Sequence, residues 1–372
     1  YSTADSYVKQ VWDGRYTGIR MCNQLLENID RVPDLDPELK KRYIGEAKVL
    51  RAYSYYELYT KFGDIPYTTK VLSIKESMSI ARTAKATVIA NVLADLDEVI
   101  NGNYLPTSYD ADNKGRITRW AAMAIKAKIY LFEGNWTQVK NITSTIMTEG
   151  GFKLFGSYAG LFEIANEYNS EVILDAQYRP TSREHQMMYV FLPPTLGGYS
   201  QLSPLQELVD SYIMLDGKTI KETGTSFDES HPYANRDPRL KATVMYTGNS
   251  YTLADGTEVV INCEKGEGKD GYGVGSDCSA TGYYIKKYWD NTYRATLYSG
   301  LNPILIRYAD ILLMNAEALA ELGELDKTAW DATIKPIRDR AGFTLASALE
   351  FPEGASKDKL SEIVRNERRS EL

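Results

Sequence analysis

Six aromatic residues, Tyr283, Tyr284, Tyr288, Trp289, Tyr293 and Tyr298, fall within 16 residues and are interleaved with Lys286, Lys287, Asn291 and Arg294. Flat rings beside polar side chains suit one chemistry in particular. The ring stacks on the apolar face of a sugar while neighbouring polar groups hydrogen-bond its hydroxyls. Trp289 heads the turn Trp-Asp-Asn-Thr-Tyr, so it is the candidate platform, with Asp290, Asn291 and Arg294 as polar partners and Tyr283 and Tyr293 as flanking rings. Tyr199, behind Pro193-Pro194 and Gly197-Gly198, and Tyr67, behind Gly63-Asp64-Ile65-Pro66, are further loop aromatics of the same kind, with Tyr1 and Tyr7 the weakest. The competing reading has Trp289 filling a gap between loops and helices. Strand alternation would put Tyr284 and Tyr288 on one face with Lys286, and Tyr283, Ile285 and Trp289 on the other. Trp12, Trp120, Trp136 and Trp330 sit in helical patterns and read as core.

Catalytic and cofactor chemistry finds little material. The 372 residues include only 2 His and 3 Cys, and no HExxH, CxxC, Walker A or GxSxG motif occurs. Gly266, Gly268 and Gly271 spell GxGxxG, but Tyr272-Gly273-Val274-Gly275 follows, which cannot open a phosphate-binding helix. Asp110, Asp112, Asn113 and Gly115 are spaced like a calcium loop, yet Lys114 and Ala121 stand where ligands are required. No catalytic residue, metal site or cofactor is therefore assigned, and no two carboxylates stand out as acid and nucleophile. With 43 Lys plus Arg against 50 Asp plus Glu, the net charge of −7 has the wrong sign for nucleic acid. The most apolar window, 304–320, is broken by Arg307, Asp310 and Glu317, so no segment spans a membrane as a helix. The opening residues carry neither a basic segment nor an apolar stretch of signal type, so localisation is not written there. Cys22 reads as core. Cys263 and Cys278 bracket a Gly-rich loop, and a disulfide closing it is left open, because spacing alone does not bring two Cα atoms within about 4.4–6.8 Å.

The elements that must carry these rings are mostly helical. Trp12, Tyr16, Ile19, Leu26 and Ile29 recur at helical spacing, as do Ala47, Leu50, Ser54, Leu58 and Phe62, then Val88, Val92, Leu96 and Val99. Asp36-Pro37 and Thr118 read as helix starts, and Asn302-Pro303 as the start of a helix along Leu305, Ala309, Leu312, Ala316 and Leu319. Between Thr118 and Phe132 apolar residues form two stripes, so that helix is packed between neighbours. Three helix ends, at Gly63, Gly134 and Gly323, echo one another. In each an apolar stripe stops at a glycine and a polar residue starts the return. This repetition predicts a mainly α fold with a tetratricopeptide-like helical-repeat scaffold. The scaffold spans 1–150 and 301–372, and a loop-rich insertion with short β-hairpins spans 151–300 and carries the ligand face. Its β-like runs are 171–178, 240–247, 257–262 and 282–289.

Six blocks, at 51–67, 115–136, 203–218, 235–240, 306–323 and 363–372, resemble the SusD/RagB family, in the family's order and over nearly the whole chain. The resemblance implies a lipid-anchored outer-membrane protein, exposed at the surface of a Gram-negative bacterium. Such a protein binds glycans without cleaving them and partners a SusC-like TonB-dependent transporter. It also implies that glycan contacts come from variable loops, a description the 283–298 loop meets. Arg51, Arg307, Asp310, Glu317, Arg368 and Arg369, which lie in the shared blocks, then read as scaffold ion pairs and caps. At both ends the chain departs from the family: the lipidated Cys with the first segment, and the continuation after Glu371-Leu372, are absent, so it reads as a fragment. The alternatives are a peptide or other nutrient binder on the same scaffold, a helical adaptor for another protein, or a glycoside-cleaving enzyme.

Overall fold

A computed structural model describes residues 6–292 and 296–372. The chain forms two compact units, Tyr1–Gly150 and Gly151–Leu372. In the first, α1 (Ser6–Asn28), α2 (Pro37–Phe62), α3 (Ile74–Ser79), α4 (Lys85–Asn101), α5 (Arg119–Phe132) and α6 (Trp136–Glu149) follow in order. The long helices stack sequentially, α1 on α2, α2 on α4, α4 on α5 and α5 on α6, as tetratricopeptide-like repeats do. Val88, Val92, Leu96 and Val99 are all buried along α4, as their spacing predicts. α5 is buried around Trp120–Ile125, Ala127 and Ile129, which its double stripe anticipates. Leu50 is a correction: it is 49% exposed, and α2 instead turns Val49, Ala52, Tyr55 and Tyr59 inward, because neighbours cover it on more than one side.

The predicted caps form as hydrogen bonds. Asp36 Oδ1 accepts from Leu39 N–H at 2.8 Å, and Thr118 Oγ1 accepts from Ala121 N–H at 3.2 Å. Gly63, Gly134 and Gly323 all take positive φ, the conformation that ends a helix at least cost. Asp36→Ala leaves an orphan N–H at the start of α2 and is expected to lower unfolding free energy by about 1 kcal/mol, with Asp36→Asn nearly neutral, as read by urea denaturation.

The second unit mixes short helices with short strands. Its helices are α7 (Met187–Phe191), α8 (Gln206–Ser211), α9 (Pro238–Thr243), α10 (Tyr308–Leu322), α11 (Lys327–Ala332), α12 (Ile334–Ala341), α13 (Ala346–Leu349) and α14 (Lys357–Glu371). Its strands are β1 (Val172–Asp175), β2 (Val244–Met245), β3 (Ser250–Thr252), β4 (Glu258–Val260), β5 (Tyr284–Ile285) and β6 (Ile304–Arg307). All pair antiparallel: β3 with β4 as a local hairpin, β1 with β6 and β2 with β5 across long stretches of chain. Two segments differ from the expectation of their local sequence. Asn302 caps no helix: it accepts from Tyr178 N–H and donates to Asp175, while Ile304–Arg307 is captured as a strand by β1. Residues 240–243 are helical, because Asp237 accepts from Arg239 N–H and Pro238 occupies the first turn.

A buried ionic cluster holds this unit. Arg239 is 1% exposed and contacts Asp237 at 2.7 Å, Glu367 at 2.7 Å and Glu371 at 2.9 Å. Arg307 contacts Glu171 at 2.8 Å and Glu371 at 2.5 Å, Arg340 contacts the same two carboxylates, and Arg338 contacts Glu367 at 2.7 Å. Four guanidiniums thus face four carboxylates. Two of those carboxylates, Glu367 and Glu371, project from α14 one turn apart, so the ladder of the last helix is keyed to α9, α12 and β6. The scaffold reading of Arg51, Asp310, Glu317 and Arg368 also finds partners: Arg51 with Asp95 at 2.6 Å, and Arg368 with Glu317 at 3.0 Å and Asp310 at 3.4 Å. Cys263 and Cys278 are unbridged. Cys263 is buried, with burial pushing its thiol up to about 12, and Cys278 Sγ–H donates to Lys269 O.

Candidate functional site

The segment after β5 does not continue as a strand. Lys286 and Lys287 N–H both donate to Thr243 O, at 2.8 and 3.3 Å, and Trp289 N–H returns to Lys286 O at 3.1 Å, closing a four-residue turn. Its third residue, Tyr288, takes φ +64°, a place usually given to glycine. The tyrosine is held there by packing on Phe162, with ring centroids 4.9 Å apart, and by Ile304 N–H donating to its phenol oxygen at 3.0 Å. This turn overrides the predicted alternation. Tyr284 and Tyr283 enter separate core clusters, and Tyr288 and Trp289 swing to a shared cavity.

That cavity has a volume of about 380 Å³. Trp289, Tyr288 and Phe162 supply its apolar wall, Asn291 and Thr252 its neutral polar groups, Lys241, Lys286 and Lys287 its cations, and Glu163 its one carboxylate. Trp289 is half-buried and fixed at its edge, because Nε1–H donates to Thr252 O at 2.8 Å and the indole meets Tyr251 at 5.2 Å and 63°. A ring held in this way loses little freedom on binding a ligand. The Lys287 ammonium lies 4.4 Å from the Phe162 ring centroid and donates to the Tyr158 phenol. Burial, reinforced by the Arg307 charge, lowers its pKa to about 7. Burial, then repulsion from Lys241, also lowers Lys286.

Of the residues singled out in the sequence, Trp289 and Asn291 meet in this cavity. Tyr293 and Arg294 lie outside the described residues, as does Tyr1. Asp290 is a correction: it is 3% exposed and braces its own loop, accepting from Thr292 N–H and both the Thr292 and Ser299 hydroxyls. Tyr283 is another, buried against α8 with its hydroxyl donating to Gln206 at 2.8 Å. Tyr199 forms a separate platform, 39% exposed and stacked on Tyr189 with centroids 4.2 Å apart. Tyr67 belongs to the first unit, half-buried beside Tyr55 at 4.7 Å. Phe162, Glu163, Lys241 and Thr252 are lining residues that inspection of the sequence missed. They lie 37 to 127 positions before Trp289, and no local pattern links them to it.

Residues 161–372, which contain this entire cavity bar Ala159, match the model of the SusD family. The chain belongs to the SusD family. Residues 1–131 of this SusD-family chain match a second model, described as starch-binding associating with outer membrane. Among curated relatives, the chain is 27% identical to SusD-like protein P25 of Formosa agariphila, over 98% of its own length and 68% of the relative's. Among solved structures, it superposes on a SusD-like carbohydrate binding protein from Bacteroides fragilis with a TM-score of 0.87 and 27% identity, covering 100% of this chain and 72% of that one. A laminarin binding SusD-like protein shares the fold, with a TM-score of 0.66 and 23% identity over 97% of this chain and 76% of that one. Among the described residues of this SusD-family member, no helix is long and apolar enough to cross a membrane.

Proposed function

We propose that this SusD-family chain binds poly- or oligosaccharides without cleaving them, as an outer-membrane lipoprotein at the bacterial surface, and delivers them to a SusC-like TonB-dependent transporter. The observation that carries the reading is the edge-anchored Trp289 ring beside the exposed Asn291 in a cavity of sugar size. Because Trp289 lines the cavity, a pyranose seated there would pack its axial hydrogens against the indole, and the Asn291 amide would offer both a donor and an acceptor to hydroxyls. Cleavage would call for two carboxylates facing each other across the bond, and Glu163 is the one acid in this lining. The relatives named for carbohydrate and laminarin binding, and the family description that associates starch binding with the outer membrane, support the same reading.

Calorimetric titration of the chain with a panel of soluble polysaccharides and their oligosaccharides tests it. At least one class is expected to bind with Kd between about 1 μM and 1 mM, that is about −8 to −4 kcal/mol. A folded chain that binds no glycan in the panel, or one that binds peptides instead, would remove the proposal.

A further inference from the structure

The cavity has a charge that a neutral sugar does not explain. Lys241 comes from α9, while Lys286 and Lys287 come from the turn that follows β5. The two backbone bonds to Thr243 O hold these elements together. Lys286 Nζ–H donates to the Asn249 amide oxygen, and Lys287 Nζ–H to the Tyr158 phenol and the main-chain oxygens of Glu371 and Leu372. The nearby Glu258 carboxylate is engaged by the Ser250 and Thr252 hydroxyls. Among the described residues, none of the three lysines joins an ion pair, although the chain as a whole carries a net charge of −7.

Lys286 and Lys287 are half-buried and held through Nζ by amide, phenol and main-chain oxygens, while Lys241 is an exposed residue of the same lining, so an anion entering beside Lys286 would supply a charged partner that the side-chain carboxylates do not. We infer that the sugar taken by this cavity carries an anionic substituent, a carboxylate or a sulfate ester, seated against Lys241 and Lys286 while Trp289 covers the ring. This rests on the glycan-binding reading above and specifies its substrate class. The acidic remainder of the surface does not oppose it at physiological salt, where charges beyond about 8 Å are largely screened. Burial first, and repulsion from Lys241 second, lower the Lys286 pKa, and an anion bound between the two ammonium groups would offset the repulsion.

The test uses matched probes: polygalacturonate beside its fully methyl-esterified form, and a sulfated galactan beside its desulfated form, each titrated calorimetrically into the full chain. One anionic form is expected to bind at least about tenfold more tightly than its neutral partner, and the difference should shrink as salt rises from about 50 to about 500 mM. The pair that shows it tells carboxylate from sulfate. In the double variant Lys241→Gln, Lys286→Gln, confirmed as folded by its melting curve, the affinity ratio should fall to about one. If neutral and anionic forms bind alike, or if the double variant keeps the preference, the inference fails and glycan binding stands. Failure of every probe and every neutral glycan to bind would remove both.

Discussion

Trp289→Ala is expected to weaken glycan binding by about ten- to hundredfold while leaving the chain folded. A pyranose laid on an indole face covers on the order of 100 Å² of apolar surface, which at about 25 cal/mol per Å² amounts to about 2.5 kcal/mol. That term is a large share of a total of about 4 to 8 kcal/mol, so its loss dominates the hydrogen bonds around it. The substitution also removes the Nε1–H bond to Thr252 and the edge contact with Tyr251, so a modest drop in melting temperature accompanies it. Trp289→Phe separates the two effects. It keeps a ring over the cavity but cannot make the bond to Thr252, and its affinity should fall between those of wild type and the alanine variant. Binding that survives Trp289→Ala at full strength would move the site away from this cavity, and the stacked Tyr189–Tyr199 pair would be the next surface to test.

Glu371→Gln should cost about 3–5 kcal/mol of unfolding free energy, the penalty for leaving the buried cluster one anion short of its four guanidiniums. The carboxylate is fully buried and sits between Arg239, Arg307 and Arg340, so glutamine keeps its shape and removes the charge that balances them. Glu362→Gln, on the exposed side of the same helix, is the control and should change stability by less than about 0.5 kcal/mol. Adding Arg307→Met to Glu371→Gln restores neutrality and should recover part of the loss, because the cluster suffers from imbalance more than from the absence of charge.

Acid provides an independent reading of the same cluster. Burial alone would push the Glu371 carboxyl up, but Arg307, Arg239 and Arg340 outweigh it and hold the pKa at about 2, against 4.5 in an unfolded chain. A group depressed in this way contributes stability that is complete above about pH 4.5 and is lost as pH falls towards 2. Its contribution is on the order of 3 kcal/mol. Glu367 is lowered as well: burial again opposes ionisation, and Arg239 and Arg338 prevail. Denaturation curves between pH 5 and pH 2 should therefore fall steeply for the wild-type chain and less steeply for Glu371→Gln. Equal slopes would show that the cluster is not what acid dismantles.

Much of the scaffold was legible in one dimension, because helices are written in short-range periodicity. The buried series Val88, Val92, Leu96 and Val99, the caps at Asp36 and Thr118 and the glycine stops each depend on residues within a turn or two of one another. The shared blocks also pointed to the family, and their charged residues, Asp237, Arg239, Arg307, Glu367 and Glu371, turn out to meet in one buried cluster. That they meet was invisible, since the carboxylates and guanidiniums come from segments up to 134 positions apart. The site was legible only in its residue types. Trp289 and Asn291 stood out as an aromatic and an amide on a loop, but the same pattern offered Asp290 and Tyr283, which the structure buries. What separates the four is the turn at Tyr288, a non-glycine residue at positive φ that no local preference favours. It holds because Phe162 and Ile304, far away in sequence, pack and bond to it. Helical order is a local free-energy minimum that the sequence alone can specify. The cavity, with its lysines brought together across β2 and β5, exists only because long-range pairing overrides local preference.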